Sequence, residues 1–145
     1  MDFSYLLTPF LAWLVAGISK FIINSVKAGK PAFSLIGYGG LPSNHSAIVS
    51  SMTMLIALKE GIGNPAFGVA LTLAFIVMLD ASSLRRQVGK HAEAINKLFA
   101  DQSENKILRE RMGHTRIEIL AGIIVGIVVA AIVNAAFLRS EERRV

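Results

Sequence analysis

The chain has 145 residues, one domain's worth, of which 53% are apolar and only 17% charged, with a mean hydropathy of +0.55. Soluble domains carry about 25% charged residues, and here the apolar residues fall in blocks rather than in an amphipathic rhythm, so the solvent they suit is lipid. The absence of Cys excludes disulfides and thiolate metal sites. The net charge of +5 is concentrated in particular connections, which points to membrane orientation and a phosphate-bearing ligand rather than nucleic acid.

A full helical span takes about 20 apolar residues. The first block, about 5–26, is interrupted only by Lys20. Met1-Asp2 offers no basic leader region, so this block is expected to stay in the membrane. Val26 to Leu41 contains Gly29, Pro31, Gly37, Gly39 and Gly40 and reads as a loop. The second block, about 45–58, is short and rich in Ser, Thr and Met, as suits a helix packed inside a bundle rather than against lipid. Glu60 to Pro65 predicts a tight turn. The third block, about 62–79, ends at Asp80.

The connection 81–118 is long, polar and basic. Within it, Val88, Ala92, Ile95 and Phe99 recur at helical spacing, predicting an amphipathic surface helix over Arg86 to Phe99 that Asp101 to Asn105 breaks. The fourth block, about 119–137, is free of charge. Its Gly122, Gly126, Ala130 and Asn134 form a small-residue stripe at four-residue spacing, which close helix packing explains, either within the bundle or between copies. The expected architecture is a single all-α membrane domain over 1–145: a compact bundle of about four membrane helices plus one amphipathic surface helix. Pairing into a homo-oligomer is compatible with it.

With four crossings, the first and third connections share one side. They carry Lys27, Lys30, Arg85, Arg86, Lys90, Lys97, Lys106, Arg109, Arg111 and Arg116, against Lys59, Arg139, Arg143 and Arg144 on the other. The excess predicts that the first and third connections are cytoplasmic.

That placement gathers chemistry. Lys20, His45, Asp80, Arg85, Arg86, His114 and Glu118 all fall at cytoplasmic ends of predicted helices, although widely separated in sequence. Ionisable groups at membrane depth are costly unless paired or used, so a site is the default expectation. Lys and Arg suit phosphate oxygens, and the helix starts near His45 and His114 offer unpaired N–H groups. Two histidines divide nucleophile and proton-donor roles, and Glu118, one turn after His114, is placed to hold that imidazole in one tautomer. Two His with scattered acids match a metal centre poorly, so neither metal nor cofactor is expected.

The runs Gly39-Gly40-Leu41-Pro42-Ser43-Asn44-His45-Ser46-Ala47, Asp80-Ala81-x-x-Leu84-Arg85-Arg86-Gln87-x-Gly89 and Gly113-His114-Thr115-x-x-Glu118-x-Leu120-Ala121-Gly122 resemble the divergent branch of the type 2 phosphatidic acid phosphatase family. The larger family includes bacterial acid phosphatases and vanadium haloperoxidases, and the resemblance spans about Lys20 to Gly126. It implies His114 as the phosphate-attacking nucleophile, Glu118 as its orienter and His45 as the acid that protonates the leaving group. It implies a phosphate cradle with Lys20, Ser43 and Asn44, Asp80 orienting, and an arginine part that either Arg109 or Arg111 supplies or that Arg85 and Arg86 supply instead. This chain departs from the family pattern in several places. Asn44 stands where Gly is usual, Lys27 where Arg-Pro is usual, Glu118 where Asp is usual, and Leu108 falls where the family has an Arg.

The function expected is a metal-independent phosphatase of a bacterial inner membrane, acting on a lipid phosphate at the cytoplasmic face, with phosphatidylglycerophosphate a favoured substrate. Its partners would be that substrate and bilayer lipids. The alternative is a non-catalytic lipid-phosphate binder or transport protein on the same fold. Plainer roles stand beside these: Lys20 snorkelling to the interface, Asp80 with Arg85 and Arg86 as a structural ion pair, and His91 as a solvated surface residue.

Overall fold

The computed structural model describes residues 3–31, 40–99 and 107–142. The loop glycines Gly37 and Gly39 and the break at Asp101 to Asn105 lie outside the described residues. Among the described residues five helices follow in order: α1 (Ser4–Ala28), α2 (Asn44–Glu60), α3 (Pro65–Ser82), α4 (Leu84–Leu98) and α5 (Arg116–Glu142).

On α1 the buried residues are Ser4, Thr8, Ala12 and Ala16, a four-residue repeat that keeps one face small. The Thr8 hydroxyl donates to the Ser4 carbonyl at 2.7 Å, which satisfies that hydroxyl within the helix. The opposite face exposes Leu7, Phe10, Trp13, Leu14 and Ile18, as a lipid-facing surface requires. Lys20 and Asn24 continue the inward repeat. Lys20 is half-buried and turned toward the bundle rather than away along the interface.

Helix α2 is the inner element, packed by α1, α3 and α5. At 17 residues it is roughly 25 Å long, short of a full hydrocarbon core. Ser43 caps it, accepting from the Ser46 N–H at 3.4 Å. The hydroxyls of Ser51 and Thr53 donate to the Ile48 and Val49 carbonyls, both at 2.8 Å, which lets a Ser/Thr-rich helix sit in an apolar bundle. The sequence expectation of a buried, polar-tinted helix holds.

Among the described residues three segments are long and apolar enough to cross a membrane: α1, the helical run opening at Pro65, and α5 to Arg139. The chain is a multi-pass membrane protein. In α3, Asn64 caps the start by accepting from the Ala66 N–H at 2.9 Å, with Pro65 as first residue. Only Ala74 and Ala81 of α3 are buried. Helix α4 follows after a single break residue, Ser83, and takes the place predicted for the surface helix.

Helices α2 and α5 run parallel and form the tightest pair, and the glycine stripe explains why. A Cβ at Gly126 would lie 2.5 Å from the Ala47 carbonyl and 2.9 Å from the Ser51 nitrogen, and one at Gly122 would collide with the Ser43 carbonyl. The stripe therefore serves packing within the bundle. Ala12, Ala16, Ala47, Val129 and Val133 form the core beneath it. At the far end, the Tyr5 hydroxyl donates to Glu60 Oε1 at 2.6 Å, and the Lys59 ammonium lies 5.4 Å and 5.5 Å from the Tyr5 and Phe137 ring centroids.

Candidate active site

The starts of α2 and α5 and the ends of α1 and α3 meet at the other face. The Ser43 N–H donates to the Glu118 carbonyl at 2.9 Å, and the His114 N–H donates to the Ala81 carbonyl at 2.9 Å. These two backbone bonds lock the Pro42-Ser43-Asn44-His45 turn to α5 and the Gly113-His114 turn to α3. Gly113 has φ +86, and a Cβ there would meet Arg86 Cγ at 2.7 Å. Only glycine fits a left-handed residue pressed under that side chain.

Thr115 and Glu118 form a reciprocal cap on α5. The Thr115 N–H donates to Glu118 Oε2 at 2.9 Å, and the Glu118 N–H donates to Thr115 Oγ1 at 3.2 Å. The same Oε2 lies 3.1 Å from His114 Nδ1. A carboxylate only accepts, so Nδ1 carries the proton and the Nε2 lone pair is the reactive one. The His114 side chain is 9% exposed and that of Glu118 15%, so the pair sits in a poorly hydrated setting where its hydrogen bond is strong.

His45 is exposed, with its ring centroid 6.4 Å from that of His114. Arg85 Nε donates to Asp80 Oδ2 at 2.8 Å, and its Nη1 lies 3.4 Å from His45 Nε2. Guanidinium only donates, so in this arrangement His45 Nε2 is the acceptor. Lys20 lies within electrostatic reach of both Glu118 and His45. The residues expected to converge thus do: Lys20, His45, Asp80, Arg85, His114 and Glu118 come from five helices and one connecting turn.

The other expected residues have different surroundings. The Ser43 hydroxyl is fully buried and accepts from the Ser46 N–H and, at 3.1 Å, the Ser46 hydroxyl, as a helix cap does. The Asn44 side chain packs near Gly17, with its Oδ1 buried and without a hydrogen-bond partner. Arg86 is exposed and lays its stem over Gly113. Arg109 Nε donates to the Arg111 carbonyl at 3.3 Å on the exposed segment leading to His114. The arginine that meets His45 is Arg85.

Sequence reasoning missed Asn96. Its side-chain amide accepts from the Leu108 N–H at 2.9 Å and donates to the Leu108 carbonyl and Glu110 Oε1, both at 2.8 Å. It pins the segment 107–112 along α4, where Gly89 leaves room for the Glu110 carbonyl. No local pattern announces such a clasp. The Thr115-x-x-Glu118 cap, by contrast, has a readable signature. Among the described residues no three His, Cys, Asp or Glu side chains gather as metal ligands.

A family profile described as "Divergent PAP2 family" matches residues 1–129. The chain is 31% identical to the uncharacterized membrane protein YuiD of Bacillus subtilis, over 92% of this chain and 95% of that one. No solved structure matches.

Proposed function

From the premise that the chain belongs to the divergent PAP2 family, we propose that it hydrolyses a lipid phosphate monoester at the cytoplasmic face of a bacterial inner membrane. The observation carrying this reading is the His114–Glu118 pair, 3.1 Å apart and largely dehydrated, facing a second histidine whose ring is 6.4 Å away. Glu118 holds the Nδ1 proton, so Nε2 attacks phosphorus, the P–O bond to the lipid breaks, and a phosphohistidine forms. His45 gives a proton to the departing alkoxide, then takes one from the water that releases phosphate from His114. Lys20 and Arg85 offset charge on the transferring phosphoryl group, the main catalytic task in such reactions.

The Arg85–His45 contact adds an order of events. In the free protein Arg85 occupies His45 Nε2, and a phosphate dianion is a better partner for guanidinium than a neutral imidazole. Substrate binding draws Arg85 to phosphate and releases Nε2 to be protonated. The acid is thereby armed only when its substrate is present. Phosphatidylglycerophosphate, whose phosphate lies at the headgroup plane, is the favoured substrate.

His114→Ala tests this. Phosphate release from lipid phosphates by purified protein in detergent is expected to fall at least about a thousandfold, as when a covalent nucleophile is removed. Undiminished release would overturn the assignment. Saturable binding of lipid phosphate by the wild-type protein without any turnover would instead support a non-catalytic binder.

A further inference from the structure

Helix α4 divides into three sectors. Arg85, Gly89, Ala92 and Asn96 lie on one, with Gly89 and Ala92 buried and Asn96 clasping the segment 107–112. A second sector carries Leu84, Val88, Ile95 and the adjoining Phe99, exposed by 62%, 42%, 41% and 46%. The third carries Arg86, Lys90, Glu93 and Lys97, all exposed. The protein itself buries only the first sector; in the third, the Lys97 ammonium donates to Glu93 Oε1 at 2.8 Å and the rest faces outward.

We propose that the second and third sectors dock α4 in the interface of an anionic bilayer, and that this docking sets the phosphate site. The occupant follows from position and charge. Helix α4 begins one residue after the span α3, so it starts at the membrane boundary, and its apolar sector has acyl chains to enter. Its polar sector holds three cations and one acid, and Arg109 and Arg111 stand on the segment it clasps. This is the pattern of a helix lying in a headgroup layer that carries negative charge.

The consequence for the site rests on the catalytic reading above. The packed sector supplies Arg85 to His45. Through Asn96 it also fixes the segment that ends at Gly113-His114, whose backbone bonds to Ala81. One helix therefore braces both the anion-binding arginine and the nucleophile. Seated in the interface, α4 holds the two at fixed separation; lifted out, it leaves both loose. The site is tuned by the surface charge of its own bilayer.

Tryptophan depth measures the docking without reference to activity. In the full chain carrying Trp13→Phe, Ile95→Trp in phosphatidylcholine–phosphatidylglycerol nanodiscs is expected to emit to the blue and to be quenched by lipids brominated high on the acyl chain. Lys90→Trp, on the polar sector, is expected to be quenched by aqueous acrylamide instead. Acrylamide quenching of Ile95→Trp equal to that of Lys90→Trp overturns the docking.

Hydrolysis of p-nitrophenyl phosphate, a soluble substrate whose supply does not depend on lipid, measures the coupling. Wild type is expected to run several-fold faster in phosphatidylglycerol-containing discs than in pure phosphatidylcholine. Lys90→Gln with Lys97→Gln should erase that gain, each lysine near an anionic surface being worth roughly fivefold in binding. Equal wild-type rates in the two discs overturn the coupling. Absence of hydrolysis of every phosphate ester tried overturns the catalytic reading, and with it the coupling, while the tryptophan result still decides the docking.

Discussion

At the scale of single residues, the site depends on a few donors and acceptors with no freedom of role. Asp80 accepts from Arg85 Nε, which aims the remaining guanidinium N–H groups at His45. Both side chains are about a third exposed, 31% for Asp80 and 35% for Arg85, so the ion pair adds little to stability. Its effect is on aim. Asp80→Asn is expected to lower kcat/KM by roughly tenfold, the worth of one charge-assisted hydrogen bond, with thermal stability unchanged. Arg85→Gln, which removes the charge as well, should cost more, and a stability loss without a kinetic one would refute the aiming role. His45, His114 and Glu118 were legible in the sequence because the chemistry fixes local spacing: an acid one helical turn after a histidine can reach its Nδ1. The choice among Arg85, Arg86 and Arg109 was not. It depends on the backbone turn at Ser83, which sends Arg85 toward α2 and leaves Arg86 over Gly113, and no local pattern encodes that rotation.

At the scale of elements, α2 and α5 form a parallel pair held by backbone proximity. Without a hydrophobic driving force between helices in lipid, close approach of small residues supplies the contact energy. Gly126→Leu would drive a side chain into the Ala47 carbonyl and the Ser51 nitrogen, and overpacking of this kind costs about 1–3 kcal/mol or more. A control comes from Gly68 on α3, where a Cβ meets nothing within 4 Å. Gly68→Ala is expected to be neutral or to stabilise by up to about 1 kcal/mol through helix propensity. Thermal unfolding in detergent compares the two, and equal shifts would mean that the stripe is not the packing seam. Its four-residue period was plain in the sequence. The partner it faces was not, since a stripe fits a neighbouring copy as well as a neighbouring helix. The inner position of α2 was readable from its hydroxyl content and shortness, whereas its 17 residues left the number of full spans open.

At the scale of the whole molecule, the expectation is that the catalytic end faces the cytoplasm. The chain has no Cys, so single cysteines report cleanly. Lys30→Cys, exposed just beyond α1, is expected to react with an impermeant maleimide only when the cytoplasmic side is opened. Ile62→Cys, 76% exposed at the turn after α2, should react in intact cells. The reverse pattern would turn the site outward and make its substrate a lipid of the outer leaflet.

The far end of the bundle limits what such a protein can do with its product. Tyr5, Lys59, Glu60 and Phe137 join α1, α2 and α5 there, and below the site Ala12, Ala16, Ala47, Val129 and Val133 fill the axis with hydrocarbon. If the proposed phosphatase reading holds, phosphate released at His114 would meet this apolar plug in one direction and the open face of the site in the other. On the proposed reading the chemistry would be one-ended: the anion would leave from the end of the bundle at which the ester entered, with no vectorial transfer accompanying the turnover.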